Sequence, residues 1–173
     1  MRILYNGDMK EINIFELKNY LNPFETRENP AIILGSDEKE TNGMTIGWAS
    51  YGVLWKKYCA TIYIHAMRYS KHIFDNAEYF SICYMKKEHK DVVKYFGTVS
   101  GKDENKIEKC GLKIVNEEAP YFEDAKIVVL CRMMGRSDFD INHIDPSIEE
   151  WYQRDGVHSQ YYGEIIKVLV NEE

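Results

Sequence analysis

Apolar and polar positions alternate with a period of two over much of the chain, in short runs. That spacing predicts half-buried strands rather than amphipathic helices. Pro30-Ala31-Ile32-Ile33-Leu34-Gly35-Ser36 reads as a buried strand over 30–36, and Met44 to Ser50 as a second. Asn42-Gly43 between them predicts a tight hairpin, because both residue types tolerate positive φ. Gly47 falls inside the second run, and a strand glycine signals close approach of something to the backbone. Residues 51–58 read as a loop. Cys59 to Ala66 then alternates cleanly, with Ala60, Ile62, Ile64 and Ala66 on one face. Further strands are predicted over Tyr79 to Met85, Ala125 to Met133 and Tyr161 to Val170, with Leu112 to Val115 extended.

Helical spacing is confined to short stretches. Residues 1–28 read as a leading segment, a short extended piece followed by a helical turn through Ile14 to Tyr20. Tyr69 to Ala77 is expected to turn Ile73 and Phe74 inward. Glu88 to Phe96 buries Val92, Val93 and Phe96 and is closed by Gly97. Asp103 is the expected cap of a helix to Cys110 that Gly111 stops. Residues 135–158 are polar and irregular, with a short helix expected near Ser147 to Gln153. Strands separated by tight turns, with helices inserted irregularly, predict a mainly β antiparallel barrel and argue against a doubly wound parallel sheet.

Length and charge narrow the function. With 173 residues the chain makes one domain, 1–173. A net charge of -6 argues against nucleic acid, which needs a clustered basic face. Lysines gather at Lys86-Lys87 and across Lys102 to Lys113, but acids interleave with them, so they read as a solvated helix face. Thirteen tyrosines and three tryptophans suit a β core or a stacking pocket. Cys59, Cys83, Cys110 and Cys131 form no Cys-x-x-Cys pair and read as reduced thiols. The first eight residues are broken by polar positions too soon for a signal peptide, and no apolar run reaches membrane-spanning length. A cytoplasmic protein without membrane association is expected. His65, His72, His89 and His143 have no metal-ligand spacing, so no metal site is read.

Four stretches carry candidate chemistry. The Asn42-Gly43 hairpin alone reads as an ordinary turn, but Gly47-Trp48 in the following strand tilts it toward a ligand-facing strand. Arg68-Tyr69-Ser70-Lys71 joins a strand to a helix start, where two cations and a hydroxyl suit a phosphate; the plain alternative is a Ser70 cap with solvated cations. Phe96-Gly97-Thr98-Val99-Ser100-Gly101-Lys102, followed by Lys106, could wrap a ligand edge or merely connect two helices. It lacks the spacing of a nucleotide-triphosphate loop. His158, at the mouth of the last strand, could act as a general acid/base or hydrogen-bond donor, or be a partly exposed polar residue.

Taken together, these stretches resemble the flavin reductase-like, FMN-binding split-barrel family, in its flavoredoxin-type branch. The residues that carry the resemblance are Asn29-Pro30, Asn42-Gly43-Met44-Thr45 with Trp48, Arg68-Tyr69-Ser70, the block from Glu88 to Asp103 with Lys106, and Tyr162-Gly163-Glu164-Ile165. The resemblance covers a barrel core of about residues 29–170. It implies a six-stranded antiparallel Greek-key split barrel that forms a homodimer, with FMN in a groove at the interface. Asn42, Met44, Thr45, Ile46, Gly47 and Trp48 would follow the isoalloxazine edge. Arg68, Ser70 and Lys71 would take the phosphate, and Ser100, Gly101 and Lys106 would close over the cofactor's polar end. His158 would lie on the nicotinamide side. Relatives carry prolines in the loop after the first hairpin, where this chain has Val53-Leu54-Trp55-Lys56-Lys57. Trp55 is therefore expected to narrow access to the flavin.

The function so implied is an NAD(P)H:flavin oxidoreductase, with NADH or NADPH as donor of hydride to N5 of FMN. The cofactor does the chemistry and the protein binds and orients it, which accounts for the lack of a visible catalytic triad. Two rivals stay open: a flavoredoxin-like electron-transfer protein working with a redox partner, and a non-catalytic flavin-binding module. A monooxygenase that uses the reduced flavin is a further possible partner.

Overall fold

The computed structural model describes residues 9–152 and 156–172. The expected features within residues 1–8, and Gln153 at the end of the expected 147–153 helix, lie outside the described residues.

Among the described residues ten strands are formed: β1 (Met9–Ile12), β2 (Ala31–Ser36), β3 (Thr41–Ile46), β4 (Ala49–Leu54), β5 (Lys57–His65), β6 (Tyr79–Met85), β7 (Ile114–Asn116), β8 (Pro120–Phe122), β9 (Ala125–Asp138) and β10 (His158–Asn171). Four short α-helices accompany them: α1 (Lys71–Phe74), α2 (Lys90–Thr98), α3 (Lys106–Lys109) and α4 (Pro146–Glu149). Eight strands make one antiparallel sheet in the order β3-β2-β6-β9-β10-β5-β4, with β1 on β10, while β7 and β8 form a separate hairpin. The outermost strands of that order, β3 and β4, are consecutive in the chain and joined only by Gly47-Trp48. The sheet must therefore curl until its two edges meet, giving the mainly β split barrel that the alternation predicts.

Six of the eight sheet strands correspond to the predicted six. The other two correct the reading. β1 comes from the leading segment and pairs with the end of β10, Met9 opposite Asn171. β4 lies within the stretch read partly as strand and partly as loop. It pairs with β5 through a two-residue turn in which Trp55 and Lys56 have φ of 51° and 61°. Both values are left-handed, the geometry of a type I′ hairpin, and neither residue signals it.

The Asn-Gly turn is also corrected. Asn42 and Gly43 lie inside β3, opposite Gly35 and Leu34. The turn sits earlier, where the Asp37 carboxylate accepts from the amides of Lys39 and Glu40 at 2.8 and 2.9 Å. Gly43 is required for another reason: a Cβ there would collide with the Ile33 carbonyl oxygen and the Leu34 side chain.

Two apolar layers flank the sheet. Ile33, Ile46, Ile62, Ile64, Phe80, Val129 and Tyr161 fill the barrel. Ile32, Leu34, Phe96, Phe122, Val128 and Leu130 pack outside it, under α2 and β8. β2 is buried on both faces, which explains its uninterrupted apolar run. The expected 69–77 helix is a single turn, α1, with Ile73 and Phe74 inward as foreseen. α2 runs through Gly97 to Thr98, and α3 is capped by Asn105 rather than Asp103. Gly111, at φ 71°, stops α3.

Candidate functional site

β3 is an edge strand, so its outward carbonyls need partners from elsewhere. Gly43 O receives two: Ser70 Oγ at 3.3 Å and Lys106 Nζ at 2.8 Å. Lys106 Nζ also donates to Phe96 O at 3.3 Å, and both terminal nitrogens of Arg68 donate to Gly97 O at 3.3 Å. The loop after β5, the β3 edge and α3 are thereby drawn onto the C-terminal end of α2. Asn42, buried in β3, donates to Ser70 Oγ at 3.4 Å. The α2–α3 loop packs so closely on Asn42 that a Cβ at Gly101 would strike its amide.

These contacts enclose a polar cavity of about 110 Å³ lined by Met44, Arg68, Ser70, Ser100, Gly101 and Lys106, among others, with no carboxylate on its wall. Cations at a helix C-terminus are expected from the helix dipole, and capping accounts for one of them. Two exceed that need. Lys106 is only 2 % exposed, and burial, with the Arg68 charge beside it, pulls its pKa down to about 8. Burial likewise lowers the pKa of Arg68. The cavity holds excess positive charge that an anion of phosphate size would neutralise, so the residues present fit the phosphate of FMN.

The remaining predicted residues divide. Lys71 lies outside the cavity, paired with Asp75 at 3.0 Å. Thr45 donates to Val93 O at 2.5 Å and lines a different groove beside α2. Ile46 is buried in the barrel core. Gly47 is not within a strand but in the break between β3 and β4, where a Cβ would meet nothing within 4 Å. It borders a hollow of about 560 Å³ walled by Trp48, Tyr63, Phe139 and Trp151. β3 therefore leads from the cationic cavity at Asn42 toward an aromatic-walled hollow at Gly47-Trp48. An elongated ligand that is anionic at one end and planar at the other needs that layout.

His158 stands beside the hollow. Its ring centroid is 4.6 Å from that of Trp48, and its Nδ1 shares a 3.0 Å hydrogen bond with the Tyr152 hydroxyl. It faces His65 across the β5–β10 ladder, with the rings 4.9 Å apart. Burial, with His65 beside it, lowers its pKa to about 4, so the ring is neutral near pH 7. His65, Tyr152 and Trp151 were not singled out from sequence. Only strand register and the fold of the irregular 139–152 stretch bring them to His158. Trp55 lies at the β4–β5 turn, at the opposite end of β5 from His65, and its ring folds back edge-on against Tyr162 with 5.8 Å between centroids. It lines neither the cationic cavity nor the aromatic-walled hollow.

The comparisons with known proteins agree with this architecture. The flavin reductase like domain matches residues 26–173. Among solved structures, an FMN-binding protein from Thermus thermophilus with bound 1-cyclohex-2-enone aligns with a TM-score of 0.65 at 18 % identity, covering 83 % of this chain and 70 % of its own. Flavoredoxin from Methanosarcina acetivorans gives 0.67 at 18 %, covering 83 % and 69 %. An FMN-binding domain of flavin reductases-like enzyme from Shewanella baltica gives 0.68 at 12 %, covering 97 % and 80 %. A search of curated proteins returned no match. At such identities the structural likeness establishes the fold, and the domain match across most of the chain establishes membership: this protein belongs to the flavin reductase-like domain family.

Proposed function

We propose that the protein binds FMN and acts as an NAD(P)H:flavin oxidoreductase. One observation carries the reading: Arg68, Ser70, Ser100, Gly101 and Lys106, from separate segments, converge on one anion-sized cavity at the edge of β3. The two cations and Ser70 would hold the phosphate, Gly101 lets the loop close on Asn42, and β3 with Gly47-Trp48 would lie along the ring edge. When bound, FMN supplies the hydride acceptor for NADH or NADPH. His158, neutral and tethered by Tyr152, would orient the donor by hydrogen bonding rather than supply a proton.

A homodimer with FMN at its interface forms part of the proposal. Phe15, Val53 and Tyr58 are 63 %, 70 % and 45 % exposed and line an apolar groove of about 360 Å³. Exposed apolar surface of this kind favours association. The second reading, an electron-transfer flavoprotein served by a redox partner, is favoured by the packing of Trp48 against His158 and, at 6.0 Å, Trp151, which covers the His158 ring on the side where a donor would have to meet it.

Anaerobic titration separates the two. Purified protein reconstituted with FMN is mixed with NADH or NADPH, and the flavin absorbance is followed. Bleaching by either donor within seconds supports the reductase. Bound flavin that stays oxidised with both, yet is reduced quickly by a ferredoxin system, supports electron transfer instead.

A further inference from the structure

The groove on the other side of α2's C-terminal turn has no part in the reading above. Lys86, Lys87, Lys90 and Lys94 line a hollow of about 510 Å³. None of the four makes an ion pair among the described residues, although the chain carries a net charge of -6. Glu28, the carboxylate on the lining, sits 4.0 Å from Arg27 instead. Lys90 and Lys94 are four residues apart on α2 and so share a face. An acidic protein that gathers four unpaired lysines on one recess presents a local field opposite to its overall charge.

The recess has the makings of a small-molecule site rather than a solvated face. Its volume is within the range of such sites, about 300–1,000 Å³. Its floor is apolar, with Pro30, Met85 and Val93. Two hydroxyls on its wall give their protons to the main chain, Thr45 to Val93 O at 2.5 Å and Thr98 to Lys94 O at 3.0 Å. Toward a ligand those oxygens can only accept, which suits an exocyclic amine or a ribose hydroxyl. The groove also adjoins the cationic cavity: Thr98 lines both, and Gly97, on this groove's wall, carries the carbonyl that Arg68 holds.

We propose that this groove binds a phosphorylated adenosine, with the phosphates among Lys86, Lys87, Lys90 and Lys94 and the base on the apolar floor, as the second half of a dinucleotide. Naming a dinucleotide rests on the flavin reading above; the groove's affinity for a phosphorylated nucleoside does not. Two dinucleotides carry this chemistry, a nicotinamide dinucleotide and FAD. A flat acidic protein surface would meet the lysines but leave the recess unfilled.

Calorimetric titration of the full chain, with and without saturating FMN, tests the proposal using ADP, 2′,5′-ADP and adenosine. ADP and 2′,5′-ADP are expected to bind, with adenosine at least about tenfold weaker. Lys90→Glu with Lys94→Glu should weaken ADP about tenfold or more and leave FMN affinity unchanged, and Lys90→Gln with Lys94→Gln should give a smaller loss in the same direction. Raising salt from about 50 to about 200 mM should weaken ADP as well. Preference for 2′,5′-ADP over ADP assigns the groove to a nicotinamide dinucleotide phosphate. FAD binding more tightly than FMN in the parent but not in the variants assigns it to FAD. The proposal is overturned if FMN binds and ADP does not, if ADP binding ignores both lysine pairs, or if polyglutamate binds through these lysines while ADP fails to. Lysine-dependent ADP binding without any FMN binding would uphold the groove and remove the flavin reading alone.

Discussion

Arg68 and Lys106 hold adjacent carbonyls at the end of α2, the guanidinium on Gly97 and the ammonium on Phe96, and Lys106 reaches on to Gly43 in the edge strand. One helix end thus concentrates two positive charges beside the strand proposed to carry the flavin. The arrangement explains the depressed pKa of Lys106 and makes charge the feature that a ligand at this site must answer.

That charge has a pH signature. With Lys106 titrating at about 8 in the free protein, the ammonium is lost as pH rises through that value. FMN affinity should therefore fall between about pH 8 and 10, whereas riboflavin affinity should stay level. The folded pKa lies below the unfolded value, so protein stability moves oppositely and rises with pH over the same window. Fluorescence titrations of both flavins at pH 7, 8, 9 and 10 check the first claim, and urea melts check the second.

His158 carries the opposite window. Its pKa near 4 lies below the ordinary histidine value, so the unfolded chain binds the proton first as pH falls. Stability should decline from about pH 6.5 toward 4 and be recovered in part by His158→Phe, which removes the titrating group. The same variant should slow donor oxidation without changing FMN affinity, since His158 lies outside the Arg68 cavity. Denaturant melts across pH, paired with stopped-flow reduction, measure both.

The β4–β5 turn offers a test of the fold itself. Lys56 holds a left-handed φ of 61° that glycine adopts freely. Lys56→Gly should raise stability by up to about 1 kcal/mol, and Lys56→Val should lower it, β-branched residues being least tolerant of positive φ. Urea unfolding of the three proteins decides it.

Much of this barrel is legible in the chain: β5 falls where the one-sided alternation of Ala60, Ile62 and Ile64 predicts it, and β6, buried on both faces, where a short run of apolar and small residues predicts it. The failures have physical causes. Asn42-Gly43 mimics a turn signal, but the glycine serves the close approach of β2, and the real turn is made by the Asp37 carboxylate. Trp55-Lys56 makes a turn with no turn residues. At the candidate site, Arg68, Ser70 and Lys106 stand in two separate stretches that only the family resemblance joins, while Lys71, next to Ser70, points to Asp75 because a single helical turn swings successive side chains apart. The His65–His158 pairing and the Tyr152 contact depend on strand register and on an irregular segment, and neither leaves a periodic trace.

The central claim is that the Arg68–Lys106 cavity receives the phosphate of FMN. Affinities for FMN and riboflavin, measured side by side on the parent protein and on Arg68→Ala, test it most directly. Loss of a charge-assisted contact should cost FMN roughly 1.5–3 kcal/mol, about ten- to a hundredfold in Kd, and leave riboflavin nearly unchanged. Equal losses for both flavins, or no loss for either, would contradict the account and move the phosphate elsewhere.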